Sequence, residues 1–399
     1  MLGTVRFSIL SIFALFTLVL AGWAAELTVH SNEELTRAAH VAKPGDVIIL
    51  EDGEFSGVQL VGLIGTEESP ITIRGRSAEQ PARFRGGNTG LQLSGAKNVT
   101  LRYLDVRGAS LNGINIDDGR DKANPATGIV VDQCHFADIG PRGNHDGLKL
   151  SGLDQFVVTQ CSFAGWGGSA IDMVGCHDGV VRNCTFTGKE GFSQSNAIQM
   201  KGGSARVRVI SNAFRDAGER SINIGGSTGL EFFRPRVDDF EALDIEVAGN
   251  TFVGSMAPIA WVTSAVGHVH HNTIIRPGKW VARILQENTA SQFKPAHDGV
   301  FEYNLVVFDD NVRTFVNVGG GTASETFTFR RNAWFETGAV SNQRRPSLPT
   351  DEIEGIYGID PEITSADDGD PIATSENPAL RGIGADAYPS SDDAVPVAR

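Results

Sequence analysis

Phe156-Val157-Val158-Thr159-Gln160-Cys161-Ser162-Phe163 and, one unit later, Val180-Val181-Arg182-Asn183-Cys184-Thr185-Phe186 state one phrase twice: a β-branched run, a Cys, then two residues on a Phe. The phrase recurs at Cys134/Phe136, Asn212/Phe214, Asn250/Phe252, Asn272/Ile274, Asn304/Val306 and Asn332/Trp334, with Leu104/Val106 as a degenerate ninth copy. Successive copies lie 27, 23, 28, 38, 22, 32 and 28 residues apart. A period of this size marks stacked supersecondary units, in which residues distant in sequence line up in columns. Val207-Arg208-Val209-Ile210 and its counterparts are strand-like, and Gly, Asn, Asp and Ser punctuate them at short intervals. No later segment holds a 3.6-residue apolar period, so each unit reads as two or three short strands joined by turns. The expected fold is all-β, a single-stranded right-handed parallel β-helix. In it the Phe column becomes an interior stack at about the 4.8 Å strand spacing. Asn suits the left-handed conformation of a tight turn, and its amide can bond the Asn of the adjoining coil.

Forty-seven glycines in 399 residues suit a turn-rich solenoid, and 41% hydrophobic content suffices for its core. Arg6, the apolar run Phe7 to Leu20, and the small residues Ala24 and Ala25 read as a cleaved export signal over residues 1–25. Trp23 stands where a lipoprotein would need its acylated Cys, so the expected product is secreted or periplasmic and not a lipoprotein. No second apolar stretch is long enough to span a bilayer. Residues 26–338 are assigned to the β-helix and its cap, and 339–399 to an irregular C-terminal cap. That last region is acidic, with twelve Asp/Glu in 351–399 against Arg381 and Arg399, within a total net charge of −14. No basic, aromatic-interleaved stripe suggests nucleic acid, and a monomer is expected. Three of the four cysteines share the Asn column, where in-register neighbours are poorly oriented for a bridge, so free buried thiols are expected. Cys176 has no obvious partner. His268, His270 and His271 read as a structural cluster, since no Cys or carboxylate stands at ligand spacing.

Ser31 to Ala39 reads as a short cap helix, followed by Lys43-Pro44-Gly45-Asp46-Val47-Ile48-Ile49-Leu50 and then Ser69-Pro70-Ile71-Thr72-Ile73-Arg74-Gly75. This order, leading into a strand-rich repeat region, resembles exported β-helix proteins of the pectate lyase superfamily, nearest to polysaccharide lyases of the alginate lyase and chondroitinase B type. The resemblance covers most of residues 26–335. It implies an acidic polysaccharide as partner, a Lys and an Arg from successive coils as the chemistry, and acidic residues near the Lys that bind calcium.

A second set of columns runs through Asn112–Asp117, Asp146–Ser151, Ser169–Val174, Asn196–Lys201, Arg220–Gly225 and Ala257–Val262. Third and fifth places are apolar in all six and face the core. The fourth place (Asn115, Lys149, Asp172, Gln199, Asn223, Ala260) and the sixth (including Lys201) are expected on the outer face. Lys201 is the candidate base, its pKa lowered by cations such as Arg220 and Lys149. Arg220 is the candidate carboxylate neutraliser or acid. Lys149, Asp172, Asn196, Gln199 and Asn223 are candidate substrate ligands, and glycines flanking the face keep it open. Arg220 lies in the first column and Lys201 in the sixth, so they need not converge. Gln194, Asn196 and Gln199 stand before Lys201 where acids are implied, so no calcium site is assigned there. Asp146 and Asp172 are the weak alternative for a hard cation. The insertion behind the 38-residue gap is expected to wall the face, with Arg234 reaching for an anionic sugar and Phe232 or Phe233 either stacking on a ring or packing the loop. Arg283 and Glu287 read as an ion pair. Two rival functions stay open: a glycoside hydrolase using Asp146 and Asp172, and a non-catalytic carbohydrate-binding envelope protein.

Overall fold

Each coil turns one corner with a single left-handed residue, and the ladder residue follows it. The computed structural model describes residues 24–338, 344–364 and 374–389. The left-handed positions are Tyr103, Gln133, Gln160, Asn183, Ser211, Gly249, His271, Tyr303 and Arg331, each immediately before a ladder residue. The turn conformation therefore belongs to the preceding residue and not, as expected, to the Asn. The reason is that the Asn side chain is needed elsewhere: it points inward and spans coils. Asn212 Nδ2 donates to Asn250 Oδ1, Asn250 to Asn272, Asn272 to Asn304 and Asn304 to Asn332, at 3.0–3.1 Å. Each Oδ1 also accepts the backbone N–H of the coil before. Glu352 ends the series, accepting from Asn332 Nδ2 and N.

At the other end Cys184 N donates to Asn212 Oδ1, and Cys161 N to Cys184 Sγ. All four cysteines are free and buried, and burial pushes the Cys176 thiol up to about 12. Beside the ladder, Phe136, Phe163, Phe186, Phe214 and Phe252 stack with ring centroids 4.7–5.0 Å apart and planes within 14°. The same column runs back through Val106, the degenerate ninth copy, to Phe84 and Phe55, which the repeat phrase did not reveal.

Among the described residues the strands assemble into three parallel sheets of 15, 10 and 12 members, with one antiparallel pair, Ile363–Thr364 and Thr374–Ser375, in the tail. The ten-stranded sheet carries the second set of columns. Its members run from Val58–Val61 and Thr89–Ser94 through Arg220–Gly225 to Ala282–Leu285 and Val316–Val318. At the N-terminal end, helix Asn32–Val41 covers the first coil, Ser31 Oγ capping it by accepting from Glu34 N. Leu35 is fully buried beneath it. At the other end the acidic tail does more than drape: Glu352–Ile353 and Ile356–Tyr357 add a rung to two sheets. Leu380 and Ile383 then pack on Leu305, Val307 and Ala333. Tyr388 reaches back to the exterior histidines, its OH bonding Glu246. The proposed leader, residues 1–25, lies outside the described residues except for Ala24 and Ala25. Among the described residues, no helix is long and apolar enough to cross a membrane.

Candidate active site

The ten-stranded sheet pairs in the register read from the sequence: Asn115 with Lys149, Lys149 with Asp172, Asp172 with Gln199, Gln199 with Asn223, and Asn223 with Ala260. The third- and fifth-place residues are all buried. The fourth column is less open than expected. Asp172 and Asn223 are 0% and 1% exposed, because longer neighbours close over them.

Lys149 and Lys201 provide that cover. Lys149 Nζ lies 3.1 Å from Asp146 Oδ2 and in close contact with Asp172 Oδ2. Lys201 Nζ lies 3.1 Å from Asp172 Oδ1 and donates to Gln199 Oε1 at 3.0 Å. Asp146 is itself fully buried, and its Oδ1 accepts from Ser169 N. The four charged groups thus alternate in sign. Burial works against the Lys149 ammonium, but Asp172 and then Asp146 outweigh it and hold its pKa above the ordinary lysine value. Burial likewise opposes the Asp172 carboxylate, and the two lysines overcome it, keeping Asp172 below its usual range. For Asp146, burial and the Asp172 charge prevail and push it up. The charged group touching Lys201 is therefore a carboxylate, where the sequence reading had expected neighbouring cations.

Lys201 and Arg220 stand at opposite ends of adjacent strands, yet both side chains lean toward the fourth column. Lys201 ends on Gln199, and Arg220 Nη1 donates to Asn223 Oδ1 at 3.1 Å. Gln199 and Asn223 are register partners, so the two cations terminate on neighbouring rungs about 4.8 Å apart. Reach, which column position does not report, closes the gap. Asn196 joins the same patch, its Nδ2 3.4 Å from both Gln199 Oε1 and Ser169 Oγ. The other nitrogen of Arg220 pairs with Glu287 Oε1 at 2.6 Å. Glu287 is thus the partner of Arg220 and not of Arg283. Arg283 sits two rungs beyond Asn223, donates to Asn317 Oδ1 and lies over the Trp280 ring at 4.6 Å. Burial, and then the charge of Arg220, lower its pKa, so the two guanidiniums share one stretch of the face. A cleft of about 420 Å³ bordered by Gln194, Glu219, Met256 and Arg276 opens near the strand starts. Larger depressions of about 700 and 800 Å³ lie on the N-terminal coils, away from both lysines.

The insertion does form a wall, but with different contacts from those expected. Arg234 Nε pairs with the buried Asp118 at 2.6 Å and Nη1 donates to Phe232 O, so it staples the loop instead of extending toward a sugar. Phe233 is buried against Phe293, while Phe232 is 55% exposed. Glu241, which nothing in the sequence pattern marked, is fully buried and accepts from Gly202 N, Thr228 N, Thr228 Oγ1 and Asn288 Nδ2, each at 2.7 Å. It ties the insertion to a second long connection, residues 286–299. The flanking glycines serve this wall and do not hold open a groove. A Cβ at Gly175 would meet Arg234 Cβ at 2.4 Å, and one at Gly202 would meet Val174 at 2.7 Å with Thr228 just beyond.

The residues present do not fit a calcium ion. Gln194 spends its amide on the 189–194 loop, bonding Lys189 N and O. The carboxylates nearest Lys201, those of Asp172 and Asp146, already hold ammonium groups, which corrects the weak cation assignment made for them. Both are also fully buried under the lysines, so neither presents an exposed carboxyl group to a sugar as a hydrolase would need. No cluster of three or more metal-binding side chains occurs among the described residues. The histidines lie on a different sheet, where His268 pairs with Glu302 and His270 with Glu246.

Comparisons with known proteins agree with this architecture. The family described as Right handed beta helix region matches residues 131–332. A PL6 family polysaccharide lyase from Pseudopedobacter saltans is 13% identical, with 91% of this chain and 99% of that one covered and a TM-score of 0.53. A GH136 lacto-N-biosidase from Eubacterium ramulus is 11% identical (82% and 64% covered, TM-score 0.52). Pectate lyase Pel9A is 10% identical (80% and 82% covered, TM-score 0.51). At such identities these structures speak for the fold alone. Among proteins of curated function, none matches. The family described as Chondroitinase B matches residues 29–229, half of the chain, a span that holds the cap helix, both lysines and Arg220. The chain belongs to the chondroitinase B family and is built as a right-handed parallel β-helix.

Proposed function

We propose that this protein is an exported polysaccharide lyase that cleaves a uronate-containing polysaccharide by β-elimination, with Lys201 as base and Arg220 as carboxylate neutraliser. The observation that carries the reading is the convergence of Lys201 and Arg220, from successive coils, onto the adjacent rungs Gln199 and Asn223. A uronate lying along this column brings its carboxylate to Arg220, whose guanidinium the buried Asn223 Oδ1 helps to position. Charge that develops there as the C5 proton becomes acidic is met by preorganised donors. Lys201, in its neutral form, takes the C5 proton. The released electron pair forms the C4–C5 double bond, the C4–O bond breaks, and the departing oxygen is protonated from solvent. Asn196, Gln199 and the partly exposed Lys149 hold hydroxyls on either side, and Arg234 shapes the wall that bounds the site.

The test is direct. The protein is incubated with alginate, pectate and glycosaminoglycans, and the absorbance of the unsaturated uronate product is followed. Activity on one of them, reduced at least about 100-fold in Lys201→Ala, supports the assignment. Reducing ends without that absorbance identify a hydrolase, and binding without cleavage identifies an envelope carbohydrate-binding protein. Full lyase activity in Lys201→Ala removes Lys201 from the site.

A further inference from the structure

The geometry points to Lys149 as a built-in cation, its ammonium taking the place between Asp146 and Asp172 that a divalent metal would take, so that this face operates without one. The last clause rests on the lyase reading; the first does not.

Asp146 and Asp172 are both fully buried, on neighbouring coils. Two buried carboxylates so placed need positive charge, since an uncompensated buried charge costs several kcal/mol. Two sources could supply it. A hard cation such as calcium asks for six to eight oxygens. Instead, the second residue of strand Leu148–Ser151 is a lysine, three residues after Asp146 and in register with Asp172. Three of the four carboxylate oxygens then accept hydrogen bonds without a metal, and the fourth, Asp172 Oδ1, has the Lys201 ammonium 3.1 Å away but no hydrogen bond. Asp146 Oδ1 takes Ser169 N, Asp146 Oδ2 and Asp172 Oδ2 take Lys149, and Asp172 Oδ1 faces Lys201. Because Lys149 already sits between the two carboxylates, an added divalent ion would have to displace an ammonium anchored to the chain. The Lys149 side chain keeps 19% of its surface exposed, which leaves fixed positive charge on the face beside Lys201.

The experiment uses full-length protein stripped with EDTA, as wild type, Lys149→Ala and Lys149→Gln, with thermal unfolding and calorimetric titration of CaCl2. The expected result is that Lys149→Ala gains one saturable calcium site that wild type lacks. At saturating calcium its Tm should rise about 3–5 °C more than that of wild type. The bulkier, neutral Lys149→Gln should gain a weaker site of the same stoichiometry. If Lys149→Ala folds only when calcium is present during refolding, the inference is equally supported; failure to refold with calcium overturns it. It is also overturned if all three proteins respond alike, or if wild type binds a calcium ion that is lost in Asp146→Asn. None of these readouts depends on catalysis, so they stand or fall separately from the lyase assignment. Once a polysaccharide substrate is known, wild-type cleavage undiminished in EDTA supports the final clause, and its loss refutes it.

Discussion

Replacing Asn250 with Ala removes the middle of the interior ladder. The side chain is fully buried. It accepts from Asn212 N and Nδ2 at 2.9 and 3.0 Å, and donates to Val209 O, Ala248 O and Asn272 Oδ1 at 2.8, 3.0 and 3.0 Å. With the two Nδ2 hydrogens shared among three acceptors, this amounts to about four hydrogen bonds at about 1 kcal/mol net each, and with groups on both neighbouring coils left short of a partner the cost is about 3–6 kcal/mol. The chain contains its own control: Cys stands at this position in three other coils, where each Sγ donates to the carbonyl two residues before it and, at Cys184, also accepts the N–H of Cys161. Asn250→Cys should therefore cost roughly half as much as Asn250→Ala. The assay is urea unfolding of the full chain followed by far-UV circular dichroism, comparing midpoints at equal slope. A loss below about 1 kcal/mol for Asn250→Ala, or a Cys variant less stable than the Ala variant, would refute the view that the ladder's bonds hold the coils together.

Two further outcomes are expected. Arg283→Ala, two rungs beyond Asn223, should raise KM for the polyuronate several-fold with kcat little changed, because the residue extends the cationic strip without reaching Lys201; steady-state rates over a range of polymer concentrations check this. Acid should weaken the fold in two windows. Burial, and then the charge of His270, bring His271 down to about 4 from 6.5. Burial of Glu246 is outweighed by His270 and Arg208, which bring it down to about 2 from 4.5. Both folded values are depressed, so the unfolded chain binds the protons first. The His271 contribution is intact above pH 6.5 and lost as pH falls toward 4, and that of Glu246 is intact above 4.5 and lost toward 2. Each is of order 3 kcal/mol at most. Urea midpoints that stay level from pH 6.5 to 4, or a His271→Asn variant with the wild-type pH dependence, would contradict this.

The site was legible in the sequence to the extent that register was legible. Alternation in six aligned strands placed Asn115, Lys149, Asp172, Gln199 and Asn223 in one column, and the pairing is as read. Depth was not legible. An outward position is solvated only if its neighbours are short, and at Asp172 both flanking lysines fold over it. Nor was reach: a Lys and an Arg five positions apart along the strands end on neighbouring residues of the fourth column, Gln199 and Asn223, because each carries a long side chain that bends toward it. Glu241 escaped notice because its partners Gly202, Thr228 and Asn288 come from three separate segments, and the flanking glycines Gly175 and Gly202 do not hold the face open because what approaches them is the chain's own insertion.

By itself the sequence determined the solenoid, its cap and its register, since a repeated phrase and a two-residue alternation are local properties that each coil must satisfy to bury its face. Tertiary structure alone decided which charges touch. Ion pairing depends on side-chain reach, and on loops that return across several coils, and neither is periodic. That is why Lys149 came to lie between Asp146 and Asp172, Arg234 on Asp118, and Arg220 between Asn223 and Glu287.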